Sequence, residues 1–486
     1  MIRVTHFITA AVCALVLTAC GGGSGMSNNS MQSNGTAIAT MGTITAFGSV
    51  VVNGVHYDVS SASITHNGTA VTQADLKVGQ IARVHGVKDA NGTTGHADHC
   101  DVDDRLVGPI TSIDTVGGTL VALGQTVTVD SNASFSSNIT PASLQGLATG
   151  NVIEVSGLAA ADGSIAATRI ELVGMNVPFQ VIGKATGVDT TAHTFKINAL
   201  LVDYSTAMVN GFTSGAPAEG DSVEVKGTTF DSTAVKLTAT KVSPEPDEMS
   251  DANHGDEVER EGFITRFASA TDFDVAGKTV TTTSTTVFKN GAASDLALNV
   301  HVEAEGTLDS NGVLVADTII IHKEGIAELK GNVTAVDTTN GTVSLLGVTV
   351  SVSSDTRLED RSDAHVEMFN LSSLNVGDTI EIRGLEDPAG SGNIVATRLE
   401  RDNPLTTVVV GGLFTATTAP QFKILGITVD TTNAQFLAPE HGTLTSDQFF
   451  AQAPGHVVFV IGTFDGTTVA ASKVKVVSRP DCEDQF

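Results

Sequence analysis

The densest set of residues able to do chemistry is "HADHCDVDD", from His96 to Asp104, with two imidazoles, a thiol and several carboxylates within ligand reach along the chain. A zinc-class site needs such donors to converge on one point. Read as a strand, the stretch puts His96, Asp98 and Cys100 on one face and His99 on the other. Cys100 also takes the register of Ile170, Val242, Ile319, Leu399 and Val474 in similar segments further on. It therefore reads as a buried cysteine acting as a small hydrophobe, and no metal site is expected.

A second candidate is the acidic run containing Asp247, Glu248, Asp251, Asn253, Asp256 and Glu257. These are hard oxygen ligands, but Gly255 falls at the wrong offset for an EF-hand loop, and the run reads as a solvated linker. No nucleophile elbow, zinc-protease HExxH or P-loop is present, so no catalytic residue is assigned. Carboxylates could pair in space as in glycoside hydrolysis, yet nothing in the sequence selects a pair. Two tyrosines, Tyr57 and Tyr204, and no tryptophan leave few stacking platforms, although Phe could substitute. A net charge of −28 argues against nucleic acid, whose affinity rests on Lys and Arg.

The elements that must position any site recur. "GQIARVHG" from Gly79, "GNVIEVSG" from Gly150, "GDSVEVKG" from Gly220, "NVHVEAEG" from Asn299, "GDTIEIRG" from Gly377 and "GHVVFVIG" from Gly455 are six copies of one glycine-framed strand, about 70 to 80 residues apart. Each follows an opening strand such as "GNVTAVD", a hairpin such as "VSLLGVTVSV" and a short apolar turn. Each precedes a closing strand such as "VATRLE".

The expected fold is all-β: a tandem array of about six small five-stranded antiparallel barrels of the oligonucleotide/oligosaccharide-binding (OB-like) type. Another small barrel or sandwich of equal strand count is the alternative. The boundaries are 40–104, 105–175, 176–243, 260–324, 325–402 and 403–478, with an acidic linker at 244–259 and a tail at 479–486. The linker divides the copies into two sets of three. Units of this size are marginal alone and should lean on neighbours.

Alternation in the framed strand sends Ile380 and Ile382, and their equivalents in every copy, into a core. The first glycine fits a tight turn into the strand and the second a bend or bulge out of it. The opposite face carries Glu154, Glu224, Glu303 and Glu381 at one recurrent position. That row reads as a solvated face, or as an exposed contact row shared between copies. Phe459 replaces the carboxylate in the sixth copy, whose strand wants cover from a neighbouring repeat or a partner protein.

The first twenty residues have a basic start at Arg3, an apolar stretch from Phe7 to Leu17 and the ending "LTAC". That ending resembles the lipobox of bacterial lipoprotein signal peptides. The resemblance implies lipidation of Cys20 as the first residue after cleavage, a flexible tether over 21–39, and an outer-membrane anchor, since Gly21 follows the cysteine. No other cofactor is expected. Cys100 and Cys482 are then the remaining thiols, and a disulfide between them would tie the first copy to the tail; a free tail thiol is the alternative.

The combination G-x-[IV]-T, a hairpin, "L-x-V-G-D-x-[IV]-x-[IV]-x-G" and "A-T-[RK]-[IVL]" resembles a bacterial domain-of-unknown-function family, family five-six-six-six. The resemblance spans about Met41 to Val477, and that family's members are commonly lipoproteins with tandem copies. It implies no activity and transfers no site residue. The expected function is a non-catalytic, lipid-anchored scaffold or binding module for an envelope protein or glycan, facing the periplasm or the cell surface. The alternatives are an envelope hydrolase and a passive spacer. A binding array should spread its exposed features over the copies, whereas an enzyme should concentrate polar groups in one cleft between repeats.

Overall fold

In the fifth repeat the opening strand Ala327–Asp337 pairs antiparallel with Thr342–Leu345, which forms a hairpin with Val348–Ser351. The second hairpin strand runs parallel to the closing strand Ile394–Asp402. The closing strand is antiparallel to the framed strand Thr379–Glu386, which returns to the opening strand. Five strands thus close into a small barrel. A 3-10 turn, Leu371–Ser373, precedes the framed strand. The first repeat makes the same circuit through Thr36–Ala46, Val50–Val52, Val55–Asp58, Thr94–Val102 and Ile81–Lys88. Other copies depart locally: the third begins with two pieces, Phe179–Lys184 and Thr186–Asp189, and the sixth joins its opening strand to its hairpin by a lone bridge, Thr415 to Lys423.

This computed structural model describes residues 35–247, 252, 254–323, 325–388, 390–415, 418–438 and 442–477. Among them one α-helix occurs, Ser446–Gln452, and no helix is long and apolar enough to cross a membrane.

The two framing glycines do what their positions suggest. Gly377 has φ of +97°, a left-handed conformation at the turn into the strand. Gly384 lies where the register slips, and a Cβ there would sit 2.2 Å from the Val395 carbonyl oxygen. The slip leaves Thr397 as a bulged residue between Ala396 and Arg398. Every closing strand bulges at the matching place, which explains the A-T-[RK] pattern: a small inward residue, a polar bulge, then an outward side chain. The core assignment holds: Val84, Val155, Val225, Val302, Ile380 and Val460 are all fully buried.

Opening strands join the repeats. The first pairs in parallel with the fourth, Ile38 to Met41 against Glu257 to Arg260. The second pairs with the third and the fifth with the sixth, both antiparallel. The three resulting sheets hold 12, 13 and 13 strands. The division into two sets of three is therefore corrected, since the first repeat's sheet continues across the linker into the fourth. One apolar cluster spans the second and third repeats, and another spans the fifth and sixth and takes in Ala46 and Val51 of the first. Phe459 is 3 % exposed and packs with Val457, Val477 and Ile326, so its cover comes from the preceding repeat.

Candidate functional site

The closing strands of the second and fifth repeats grip neighbouring loops. Arg169 donates to the Val78 carbonyl at 3.0 Å, and Thr168 to that of Gly79 at 2.5 Å. Arg398 donates to the carbonyls of Ser131 and Ala133, both at 3.0 Å, and Arg357 to that of Asn132 at 2.7 Å. These contacts hold the first, second and fifth repeats together, and with the fourth repeat they line a cavity of about 500 Å³. Its polar lining includes Glu261, His301, His322, Glu303, Asp355 and Arg357.

Four of these six side chains come from the fourth repeat. Glu261 lies on the opening strand Glu257–Ser269, directly across from Glu303 on the framed strand His301–Leu308. His322 follows the closing strand Leu314–Ile321, and its backbone N donates to the His301 carbonyl at 3.0 Å. The Glu261 carboxylate accepts from Thr43 N at 2.6 Å and Thr43 Oγ1 at 3.1 Å, and lies 2.9 Å from His301 Nε2. The two imidazoles stack at 4.5 Å between centroids, 29° apart. One ligand atom from each of Glu261, His301 and His322 falls within 4.8 Å of the others.

Burial opposes ionisation of Glu261, but His301 holds its carboxyl well below the usual range. Burial, and then the His301 charge, push His322 down to about 4, leaving it neutral. Burial and four neighbouring carboxylates, Glu259 first, push Glu303 well above its ordinary value, and burial raises Asp355 as well. Glu303 Oε1 and His322 Nε2 are buried without a hydrogen-bond partner.

A second cluster is closed. His66 Nε2 lies 2.7 Å from Asp104 Oδ2, which also accepts from Asn67 Nδ2 at 2.9 Å. Ser156 Oγ donates to Asp104 Oδ1 at 2.7 Å, and Glu154 stands nearby. Gln180 and Lys226 of the third repeat bond to the backbone oxygens of Asp104 and Asn67. The cluster fastens three repeats together and leaves Asp104 fully partnered.

Expected site residues fall as follows. The solvated-face reading of the Glu row is corrected, because these carboxylates are buried or half-buried beside cations, an imidazole or the cavity rather than in solvent. Glu224 is 4 % exposed beside Lys226 at 3.1 Å, and Glu303 is 2 % exposed in the cavity. Glu381 is half-buried, 2.9 Å from Lys330, and Glu154 is half-buried by His66 and Asp104. In "HADHC" the face assignment is corrected too. The bulge at Asp98 breaks alternation, so Ala97 and Cys100 point inward while His96, Asp98 and His99 are exposed. Cys100 is a free thiol among the described residues, buried inside the barrel between Ile64 and Val84 on adjacent strands. Cys482 and Cys20 lie outside the described residues, as do Glu248, Asp251 and Asn253 of the acidic run. Asp247 of that run is engaged by Arg260 and Lys278.

His301 and His322 were missed, being 21 residues apart on separate elements. The available signal was Glu261, which stands where Met41, Val107 and Ile182 stand in the first three copies.

Four stretches, 41–94, 107–171, 261–320 and 330–400, match the model of a family described as a domain of unknown function, DUF5666. No curated protein matches the chain.

Proposed function

The chain belongs to the DUF5666 family, in tandem copies, and from that premise we propose that it is a non-catalytic, lipid-anchored binding module of the cell envelope. Its repeats are OB-like barrels, and its ligand site is the cavity between the first, second, fourth and fifth of them. The strand circuit supports the barrel reading, since opening, hairpin, closing and framed strands follow the OB order with a turn before the fourth. One observation carries the site: side chains of the first, second, fourth and fifth repeats together line a cavity of about 500 Å³, a size that suits an oligosaccharide or a short peptide segment. The anchor is the lipidated Cys20, which places the protein at the outer membrane without nucleic-acid partners.

The second reading is an envelope hydrolase, favoured by the convergence of Glu261, Glu303 and Asp355 in one cleft between repeats, the arrangement expected of an enzyme, two of them with raised pKa. Binding is preferred because Glu261, the ionised member and so the natural base, is already committed to Thr43 and His301.

The test is a thermal-shift survey of the full-length chain in detergent against envelope oligosaccharides and peptides. The wild type should gain several degrees with its ligand. Lys323→Trp, at an exposed position lining the cavity, should gain none. Equal gains in both proteins would place the ligand elsewhere, and release of reducing sugar would favour the hydrolase.

A further inference from the structure

We propose that Glu261, His301 and His322, backed by Glu303, bind one divalent transition cation of the zinc class in this cavity. The inference deepens the binding-site reading above and rests on it.

At one position of the opening and framed strands the fifth repeat sets Lys330 against Glu381, an ion pair at 2.9 Å. The fourth repeat sets Glu261 against Glu303, two carboxylates facing each other across the ladder. Like charges so placed repel, and burial in a low-dielectric cavity strengthens the repulsion. What the fourth repeat adds is two imidazoles at the same place. His301 and His322 bring nitrogen donors within 4.8 Å of Glu261's oxygen.

Two buried atoms of the cluster lack hydrogen-bond partners, although His322 Nε2 lies 3.9 Å from Glu303 Oε2. Glu303, 2 % exposed, has a buried Oε1 with none, and His322 has a buried Nε2 with none. Buried polar atoms are rarely left so. A cation beside Glu261 Oε1 would take the His322 lone pair and put a positive charge against Glu303. Two imidazole nitrogens and carboxylate oxygen suit zinc and its first-row neighbours rather than calcium or magnesium. The outer partner is also present: Thr43 orients the Glu261 carboxylate through its N–H and hydroxyl, as groups behind a metal ligand do. Thr43 belongs to the first repeat, so the site is complete only when the first and fourth repeats pair.

Full-length chain in detergent would be titrated with zinc chloride, and with cobalt(II) chloride to read the ligand field by absorption. The expectation is one ion per chain. His322→Ala and His301→Ala should each weaken binding by more than the roughly 10–100-fold that loss of an outer partner costs, and Thr43→Val by about 10-fold. His66→Gln, in the closed cluster, should leave the titration unchanged. Circular dichroism establishes that each variant is folded, and His322→Gln replaces His322→Ala where it is not. No stoichiometric ion, or wild-type affinity in both histidine variants, overturns the proposal. Repeating the oligosaccharide and peptide survey in chelator separates the two ideas. Organic ligand bound without metal sinks only the cation, and metal bound without organic ligand sinks only the reading above.

Discussion

Arg169 of the second repeat and Glu359 of the fifth form an ion pair, Nη1 to Oε1 3.1 Å, with Arg169 only 4 % exposed. The same guanidinium donates to Val78 of the first repeat and to Glu171 of its own strand at 2.5 Å. One side chain thus ties three repeats together through a fork that lysine does not have. Arg169→Met would strand the Val78 carbonyl and remove Glu359's closest cation. The expected cost is about 3 kcal/mol by urea denaturation, because breaking a buried pair leaves a charge uncompensated. Arg169→Lys should recover only part of it. A loss below about 1 kcal/mol would mean the clamp contributes little.

The framing glycines separate two costs. Gly377 needs its left-handed φ but has open space around its Cβ direction, so Gly377→Ala should cost about 1 kcal/mol. Gly384 faces the Val395 carbonyl at 2.2 Å from a built Cβ, and backbone must move to admit a methyl group. Gly384→Ala should cost more than about 3 kcal/mol, visible as early unfolding of the fifth and sixth repeats, which share one apolar cluster. Equal midpoints for the two variants would count against the bulge.

These glycine roles were legible because each is local: a turn residue and a bulge residue leave their mark within one copy. The inward residues Ile380 and Ile382 were legible for the same reason, since strict alternation is a property of one strand. The Glu row was misread because its burial is decided by neighbouring strands, as at Glu381 beside Lys330, and at Glu154 by another copy. Glu224 beside Lys226 in sequence looks like a solvated face whether or not Lys241 and Ser243 of the next strand close over it. The face error at Cys100 has a different origin. A bulge shifts the period by one residue, and the clue lay in the opposite strand, at Gly86. His301 and His322 were out of reach for a third reason. The ladder that brings them together is long-range, and neither residue breaks its own strand's apolar pattern.

The junction of the first three repeats should respond to pH. Burial opposes protonation of His66, but the hydrogen bond and charge of Asp104, with Glu154 and Glu171 behind it, push it up to about 9. A raised folded-state pKa contributes stability that is complete below the unfolded value of 6.5 and is lost as pH climbs through about 9. Glu154, pushed up to about 7 mainly by burial, has the same sign over a lower window. Asp104, held below its ordinary value, loses its contribution only in acid. The stability gap between wild type and His66→Gln should therefore be widest near pH 6 and narrow toward pH 9 in urea melts. A gap independent of pH would show that His66 acts by packing alone.

Cys100 offers the sharpest test of the barrel interior. Its thiol is fully buried, and burial, then Asp101, pushes its pKa up to about 12, so almost no thiolate exists at pH 8. Iodoacetamide should leave Cys100 unmodified in the native chain and alkylate it once urea opens the first repeat. The labelling rate then reports the opening of that repeat alone, because the side chain sits between Ile64 and Val84. Rapid native labelling, or a Cys100–Cys482 bridge in non-reducing mass spectrometry, would require Sγ to leave the core. Either result would contradict the inward register that the bulge at Asp98 imposes.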